Sequence, residues 1–561
     1  MRVLIEGESY PIVVLQNIFD DPKFYIQNGM DGKIISVGYY HSFMKNELVY
    51  MLPKVFMVDT VKSIFGKTKY ELLELGSGKN IKHNVKYNWI RQSLLYFYNS
   101  LVEYRKRVID SKIINPTYSM DLNTNLGGKE YSYLDLLLSF VNFYKKNKTT
   151  ILYKNIKNTS NHCKKTRWEQ TIRQSLPILT SCGTPIYTSI INQKKTPNKE
   201  EELTTYFFSI LENFNRDHNL CLRIDKSFNI IQGNQFKLLQ EKGLSKLRMI
   251  RYRYFNDTLK KMYTLCEIYF SQTDKSSSRR RREDFISVNN YNVVFEDMID
   301  KLFSDDLYDK MPDISVKDLK KNNDGKIIDH IYEYQSLMDT SNIFYIGDSK
   351  YYKPNNIAGK ISKYKQFTYA KNIIQFNIDM LNSPTGDHYN TNVRYRDELT
   401  EGYNLTPNFF IYGYIACEHN FDEHLIEKTH YAPTKSYHYK DRLFDRDTLF
   451  VHHYRINFLY VLKAYTTYNS IKTQQFRVEV KSKFRNHFIE FFNNYKICEF
   501  EFYKCKENTI EAHKLIISEN FKLLNGKCYI NSIGELILAK YIHDELDKNI
   551  MDKFSRIIAL S

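Results

Sequence analysis

The stretch Phe344-Tyr345-Ile346-Gly347-Asp348-Ser349-Lys350, followed by Tyr351-Tyr352-Lys353-Pro354, decides the fold. It has the form of a short buried strand that ends in an acid and a lysine two residues apart. Side chains alternate along a strand, so Asp348 and Lys350 share one face and Ser349 takes the other. A carboxylate and an ammonium side by side at the end of an apolar strand are an odd use of core space. Metal-assisted hydrolysis accounts for them: the carboxylate holds a divalent cation, and the lysine holds or activates the attacking water.

A metal site needs a second acid, and residues 326–334 supply one. Asp329 stands among Ile327, Ile328 and Ile331 in a second apolar, strand-like run. The polar residues 335–342 have the length of a hairpin loop, which brings the two runs side by side. Asp329 and Asp348 then become the two protein oxygen ligands that Mg²⁺ commonly takes in phosphate-ester chemistry. A literal Pro312-Asp313 competes for the first-acid place. Asp329 is preferred because its surroundings are apolar, whereas those of Asp313 are lysine-rich and loop-like. Beyond Lys350 a helix is expected over residues 357–377, with Gln366, Tyr369, Ala370 and Ile373 on one face. A glutamine in the middle of a packing face must find a partner, and the metal-site end of the sheet could supply it. Before Asp329, an amphipathic stripe runs through Val294, Phe295, Met298, Ile299, Leu302 and Phe303, with Glu296 at its edge.

At 561 residues the chain exceeds one ordinary core, and two or three domains are expected. A formal charge of +17 favours a polyanionic partner, with double-stranded DNA the first choice. The eight cysteines form no CxxC pair, which argues against a zinc ribbon or a disulfide scaffold and for reduced thiols in the cytoplasm. No apolar run reaches membrane-spanning length, and the charged opening Met1-Arg2-Val3-Leu4-Ile5-Glu6 does not read as a signal peptide. Residues 1–65 read as β-rich, with short apolar runs at 3–5, 12–15, 34–39 and 48–58. Residues 66–270 read as mainly helical and suited to DNA or a partner. Residues 271–284 carry Ser276-Ser-Ser-Arg-Arg-Arg-Arg282 and read as a linker whose arginines can also grip phosphates. Residues 285–561 hold the catalytic core and a helical C-terminal elaboration.

Two other motifs were weighed. Gly76-Ser-Gly-Lys-Asn80 resembles the end of a phosphate-cradling loop. It lacks the earlier glycine, where Leu73 stands, and the Ser or Thr after the lysine, so it reads as a turn. Six histidines fall between 417 and 453 beside the single Cys417, a set without the cysteine pair of a finger-type zinc site.

The acid, hairpin and Asp-x-Lys layout resembles the PD-(D/E)XK nuclease superfamily. Members similar to RecB and McrC carry a Gln followed by a Tyr on the helix after this motif; here they would be Gln366 and Tyr369, one residue closer than usual. The superfamily often places a glutamate on its first helix near the metal, here Glu296. Leu52-Pro-Lys-Val-Phe56, Lys165-Thr-Arg-Trp168, Phe295-Glu296, Gly347-Asp-Ser-Lys-Tyr-Tyr352 and Lys365-Gln366 together resemble the McrC-like restriction endonucleases of the LlaJI type. That resemblance implies an α/β fold (α+β overall) with a mixed sheet flanked by helices. It also implies a DNA endonuclease subunit that works with an McrB-like AAA+ GTPase. Asp329, Asp348 and the Ser349 carbonyl would hold Mg²⁺, with Mn²⁺ tolerated and Glu296 completing the shell. Lys350 would position the water, and Gln366 with Tyr369 would brace the site. A nuclease of transposition or recombination, and a DNA-binding protein without catalysis, remain as alternatives.

Overall fold

In the computed structural model, the described residues are 2–42, 47–57, 62–63, 66–74, 85–107, 114–116, 133–151, 153–159, 166–197, 202–217, 222, 224, 228–273, 283–304, 328–351, 360–381, 393–415, 420–430 and 432–560. They form a mixed α/β molecule with several sheets. The first sheet has five strands in the order Arg2–Ile5, Glu47–Leu52, Val37–Ser42, Glu283–Val288 and Ile114–Pro116. Its first pair is parallel and the others antiparallel. Val3, Ile5, Val37, Tyr39, Ile286 and Val288 are buried, as the period-2 pattern of these runs requires.

Two features of this region differ from the sequence expectation. Residues 12–15 do not form a strand but open the helix Ile12–Ile18, which follows Pro11 and buries Leu15 and Ile18 three residues apart. The strand Glu283–Val288 comes from beyond the expected linker and pairs with Val37–Ser42. Residues 271–273 close the helix Asp257–Thr273, and 283–284 open that strand. The arginine run itself lies outside the described residues, as do Gly76-Ser-Gly-Lys-Asn80 and Asp313.

The helices Tyr133–Ile151, Glu202–Asp217, Gly233–Met249 and Asp257–Thr273 share a core of their own, including Phe140, Phe207, Phe236 and Tyr269. Phe140 and Phe207 stack with ring centres 5.0 Å apart. Two antiparallel pairs interrupt the expected helical texture: Tyr153–Thr159 with Ile191–Pro197, and Pro177–Leu179 with Pro185–Tyr187. The helix Val85–Arg107 packs instead into the main core through Leu94, Phe97, Tyr98 and Leu101.

The central sheet runs His330–Gln335, Asn342–Lys350, Asn408–Tyr414, Phe450–Asn457 and Glu427–Lys428, with Thr434–Lys435 also pairing on Phe450–Asn457. His330–Gln335 and Asn342–Lys350 form the antiparallel hairpin; the next two pairings are parallel. The helices Tyr291–Phe303 and Ser470–Asn493 pack against it through Phe303, Phe409 and Phe484, the last two stacked at 4.7 Å. Gly347 lies in register with Phe409, and a Cβ there would come within 2.4 Å of the ring, so only glycine lets the strands close at that point. The C-terminal hundred residues hold a four-stranded antiparallel sheet in addition to helices, more strand than expected. Among the described residues no helix is long and apolar enough to cross a membrane. Cys182, Cys266, Cys498, Cys505 and Cys528 are free thiols.

Candidate active site

The hairpin places Asp348 and Lys350 where alternation put them. Asp348 is 4% exposed, and the Lys350 ammonium pairs with its Oδ2 while lying 5.1 Å from the Phe410 ring centre. Asp329 sits one residue before the strand His330–Gln335, and its carboxyl is hydrogen-bonded to that of Asp348. Burial, then the charge of Asp348 and this hydrogen bond, hold Asp329 well above the usual carboxylate range. Asp329 is therefore held toward its protonated form beside Asp348, whose charge is met by Lys350.

Glu296 projects from the helix Tyr291–Phe303 toward the same charges. Burial and then Asp348 raise it; Asn292, in contact at 3.5 Å, and Lys350 and Lys365 pull it back. It stands at electrostatic range from Asp348. Among the described residues no three His, Cys, Asp or Glu side chains converge closely enough to enclose a metal. The convergent donors are therefore Asp329 and Asp348, with the Ser349 carbonyl on the same strand. This set is all oxygen, and burial beside Asp348 holds the Asp329 carboxyl toward its neutral form, which a divalent cation would reverse. Both points fit Mg²⁺ or Mn²⁺, which typically take one or two carboxylates and leave other positions to water and substrate.

Gln366 lies on the helix Lys360–Leu381, fully buried, and its Nε2 donates to Asn408 Oδ1 at 3.1 Å. Asn408 opens the strand beside the hairpin and is itself fully buried. The glutamine thus finds its partner on the sheet and ties helix to strand. One turn on, Tyr369 is buried, and Lys365 approaches its ring at 5.4 Å. Tyr369 raises the lysine, and the charges of Asp329 and Asp348 add to that. Lys365 is thus a second lysine within the field of the acids. In the sequence Lys365 stood out only beside Gln366, in the segments that carry the resemblance, and one helical turn before Tyr369.

The other face of the strand also carries polar groups. Ser349 Oγ lies 2.5 Å from His330 Nε2, and His330 Nδ1 lies 3.6 Å from Asp300 Oδ1. His330 had no sequence signal beyond following Asp329. Next along the chain, the Tyr351 hydroxyl donates to Glu6 in the N-terminal segment and accepts the Lys54 N–H at 3.0 Å.

The histidine-rich segment is built differently. His452 and His453 are buried in the strand Phe450–Asn457; His453 Nδ1 meets the Tyr412 hydroxyl at 3.0 Å, and His424 pairs with Glu479 at 2.8 Å. Cys417 and His419 lie outside the described residues.

No family model matches this sequence, and no curated protein does either. Two chains of solved structures from Thermococcus gammatolerans align with it. One belongs to the half-complex of a tetradecameric assembly of McrB AAA+ hexamers with bound McrC. It is 12% identical and has a TM-score of 0.28, over 86% of this chain and 99% of that one. The other belongs to the McrBC complex, at 13% identity and a TM-score of 0.17, over 53% of this chain and 84% of that one.

Proposed function

We propose that this chain is a metal-dependent endodeoxyribonuclease, the DNA-cutting subunit of a restriction system with an McrB-like AAA+ GTPase partner. The observation that carries the nuclease reading is the adjoining acids Asp329 and Asp348, with Lys350 paired to Asp348 at the end of one strand. The partner rests on the sequence resemblance to the McrC-like endonucleases.

In this reading Asp329, Asp348 and the Ser349 carbonyl hold Mg²⁺ or Mn²⁺, and Glu296 reaches the site through water. The bound cation supplies charge neutralisation at the scissile phosphate and lowers the pKa of water. Asp348 would share its charge between a bound cation and Lys350. The Lys350 ammonium would orient the nucleophilic water and offset charge developing on the phosphate oxygens. Lys365 gives a second positive charge on the helix side, where a substrate phosphate approaches. Gln366 and Tyr369 keep that helix fixed against the sheet. The net charge of +17 supports binding of the DNA backbone.

The test is plasmid cleavage by wild type and Lys350→Ala, with Mg²⁺ or EDTA, and with or without the McrB-like GTPase and GTP. Cleavage by wild type alone, dependent on metal and partner, supports the whole reading. Metal-dependent cleavage without the partner keeps the nuclease and removes the restriction complex. Equal cutting by Lys350→Ala sinks the site assignment.

A further inference from the structure

The acid pair has a counterpart on the back of the same two strands. Asp329 and Asp348 meet on one face; the residues that follow each of them, His330 and Ser349, meet on the other. His330 is fully buried and Ser349 is 3% exposed, so water cannot replace either partner. The link continues into the helix that carries Glu296. His330 Nδ1 faces Asp300, four residues beyond Glu296. Asp300 accepts from Ser304 Oγ, and Ser304 Oγ accepts the Ile331 N–H at 3.3 Å. A ring of polar groups, its His330–Asp300 side too long for a hydrogen bond, therefore joins the last turn of the helix Tyr291–Phe303 to the residues following Asp329. The hydrogen bond of His330 runs through Nε2 to the Ser349 hydroxyl, while Nδ1 is buried opposite Asp300 without one.

We propose that His330 is a positioning residue for the carboxylate site: fully buried and bonded to Ser349, it sets where the Ser349 carbonyl and Asp348 would stand for a cation. The proposal rests on the nuclease reading, because it gives His330 work only if those groups hold a metal. Ser349 is flanked by Asp348 and Lys350, so a shift of its peptide moves a proposed ligand on each side of the Cα together. A side chain that fixes a ligand from behind acts as the outer partners of metal sites do; their loss commonly weakens metal binding by about 10- to 100-fold.

The experiment measures Mn²⁺ binding to the full chain by electron paramagnetic resonance, without DNA or turnover. Wild type is compared with Ser349→Ala, His330→Gln and Asp348→Ala, with thermal unfolding in EDTA recorded for each. Ser349→Ala keeps the main-chain carbonyl but loses the hydroxyl; its Mn²⁺ dissociation constant is expected to rise about 10-fold or more, while its metal-free unfolding midpoint stays close to wild type. His330→Gln retains an acceptor for the Ser349 hydroxyl and is expected within about threefold of wild type. Cleavage by Ser349→Ala should return at saturating Mn²⁺. Wild-type Mn²⁺ affinity in Ser349→Ala overturns the proposal, and so does weakened binding matched by an equal loss of metal-free stability, which marks the ring as mere scaffold. If Asp348→Ala binds Mn²⁺ as tightly as wild type, the carboxylate site itself is wrong, and the role of His330 falls with it.

Discussion

Asp329 governs the charge state of the acid pair. Its carboxyl is held well above its ordinary 3.8 by burial and by Asp348. A folded-state value above the unfolded one means that Asp329 stabilises the metal-free fold while protonated. That contribution is complete below the unfolded value and is lost as pH rises through the raised one. A cation that took the proton's place would release it, so its affinity would climb with pH. Metal-free thermal midpoints are expected to fall as pH rises above the ordinary carboxylate range, and the gain given by Mn²⁺ to grow over the same span. Asp329→Asn should flatten both trends; a Mn²⁺ gain that stays constant with pH in wild type would show that Asp329 does not exchange its proton for metal. Asp348 allows a sharper separation. Asp348→Ala removes the partner of both Asp329 and Lys350. It should abolish cleavage while DNA affinity, measured by fluorescence anisotropy, changes by less than about threefold, since backbone contacts and not this acid carry binding. Joint loss of binding and folding would make Asp348 structural.

At the scale of elements, the helix Ser470–Asn493 and the strand Phe450–Asn457 carry a second pH-dependent contact. His452 packs on Phe488 at 4.4 Å and on Phe491 at 4.7 Å, and His487 stacks on Tyr454 at 5.6 Å. Burial pushes His452 well below its ordinary 6.5 and His487 down to about 4. For a depressed histidine the sign is the reverse of that for Asp329: the neutral ring stabilises the fold above 6.5, and this is lost as pH falls toward 4. Urea unfolding of His487→Gln is expected to show a smaller loss of stability than wild type between those two pH values; identical acid curves would remove His487 as a cause. These histidines also show what sequence could and could not convey. Asp348, Lys350 and Ser349 were legible because a strand has a fixed period of two, which settles faces without knowing the neighbours. Asp329 was legible from its apolar flank. The helix Tyr291–Phe303 followed from its stripe, whereas residues 12–15 misled because a run of four apolar residues fits strand and helix equally. His330 beside Ser349, Gln366 on Asn408, and Glu283–Val288 beside Val37–Ser42 are pairings between distant segments, and local pattern carries no record of a partner.

Across the whole molecule the main core is continuous from Val3 to Ala539, so the N-terminal sheet and the central sheet share buried surface and are expected to unfold together. The four-helix body between them has its own core. One link from the N-terminal segment to the strand Asn342–Lys350 is Tyr351, the residue after Lys350. Its hydroxyl donates to Glu6 and accepts the Lys54 N–H, and the Lys54 ammonium lies 4.3 Å from its ring centre. Tyr351 is 6% exposed, and the Lys54 N–H also reaches Glu6 Oε2 at 3.3 Å, so loss of the hydroxyl removes two bonds of a three-way contact. Tyr351→Phe should therefore cost about 1–3 kcal/mol, and Glu6→Gln a comparable amount. The two groups bond to each other, so the double variant should lose less than the sum, by at least about 0.5 kcal/mol. Because Lys350 precedes Tyr351, loosening this link also frees the end of the strand Asn342–Lys350. Tyr351→Phe should thus lower the cleavage rate under conditions where the variant remains folded, and Glu6→Gln should lower it similarly despite lying 345 positions away in sequence. Additive stabilities with unchanged cleavage in both variants would mean that the N-terminal sheet merely rests on the central one and transmits nothing to it.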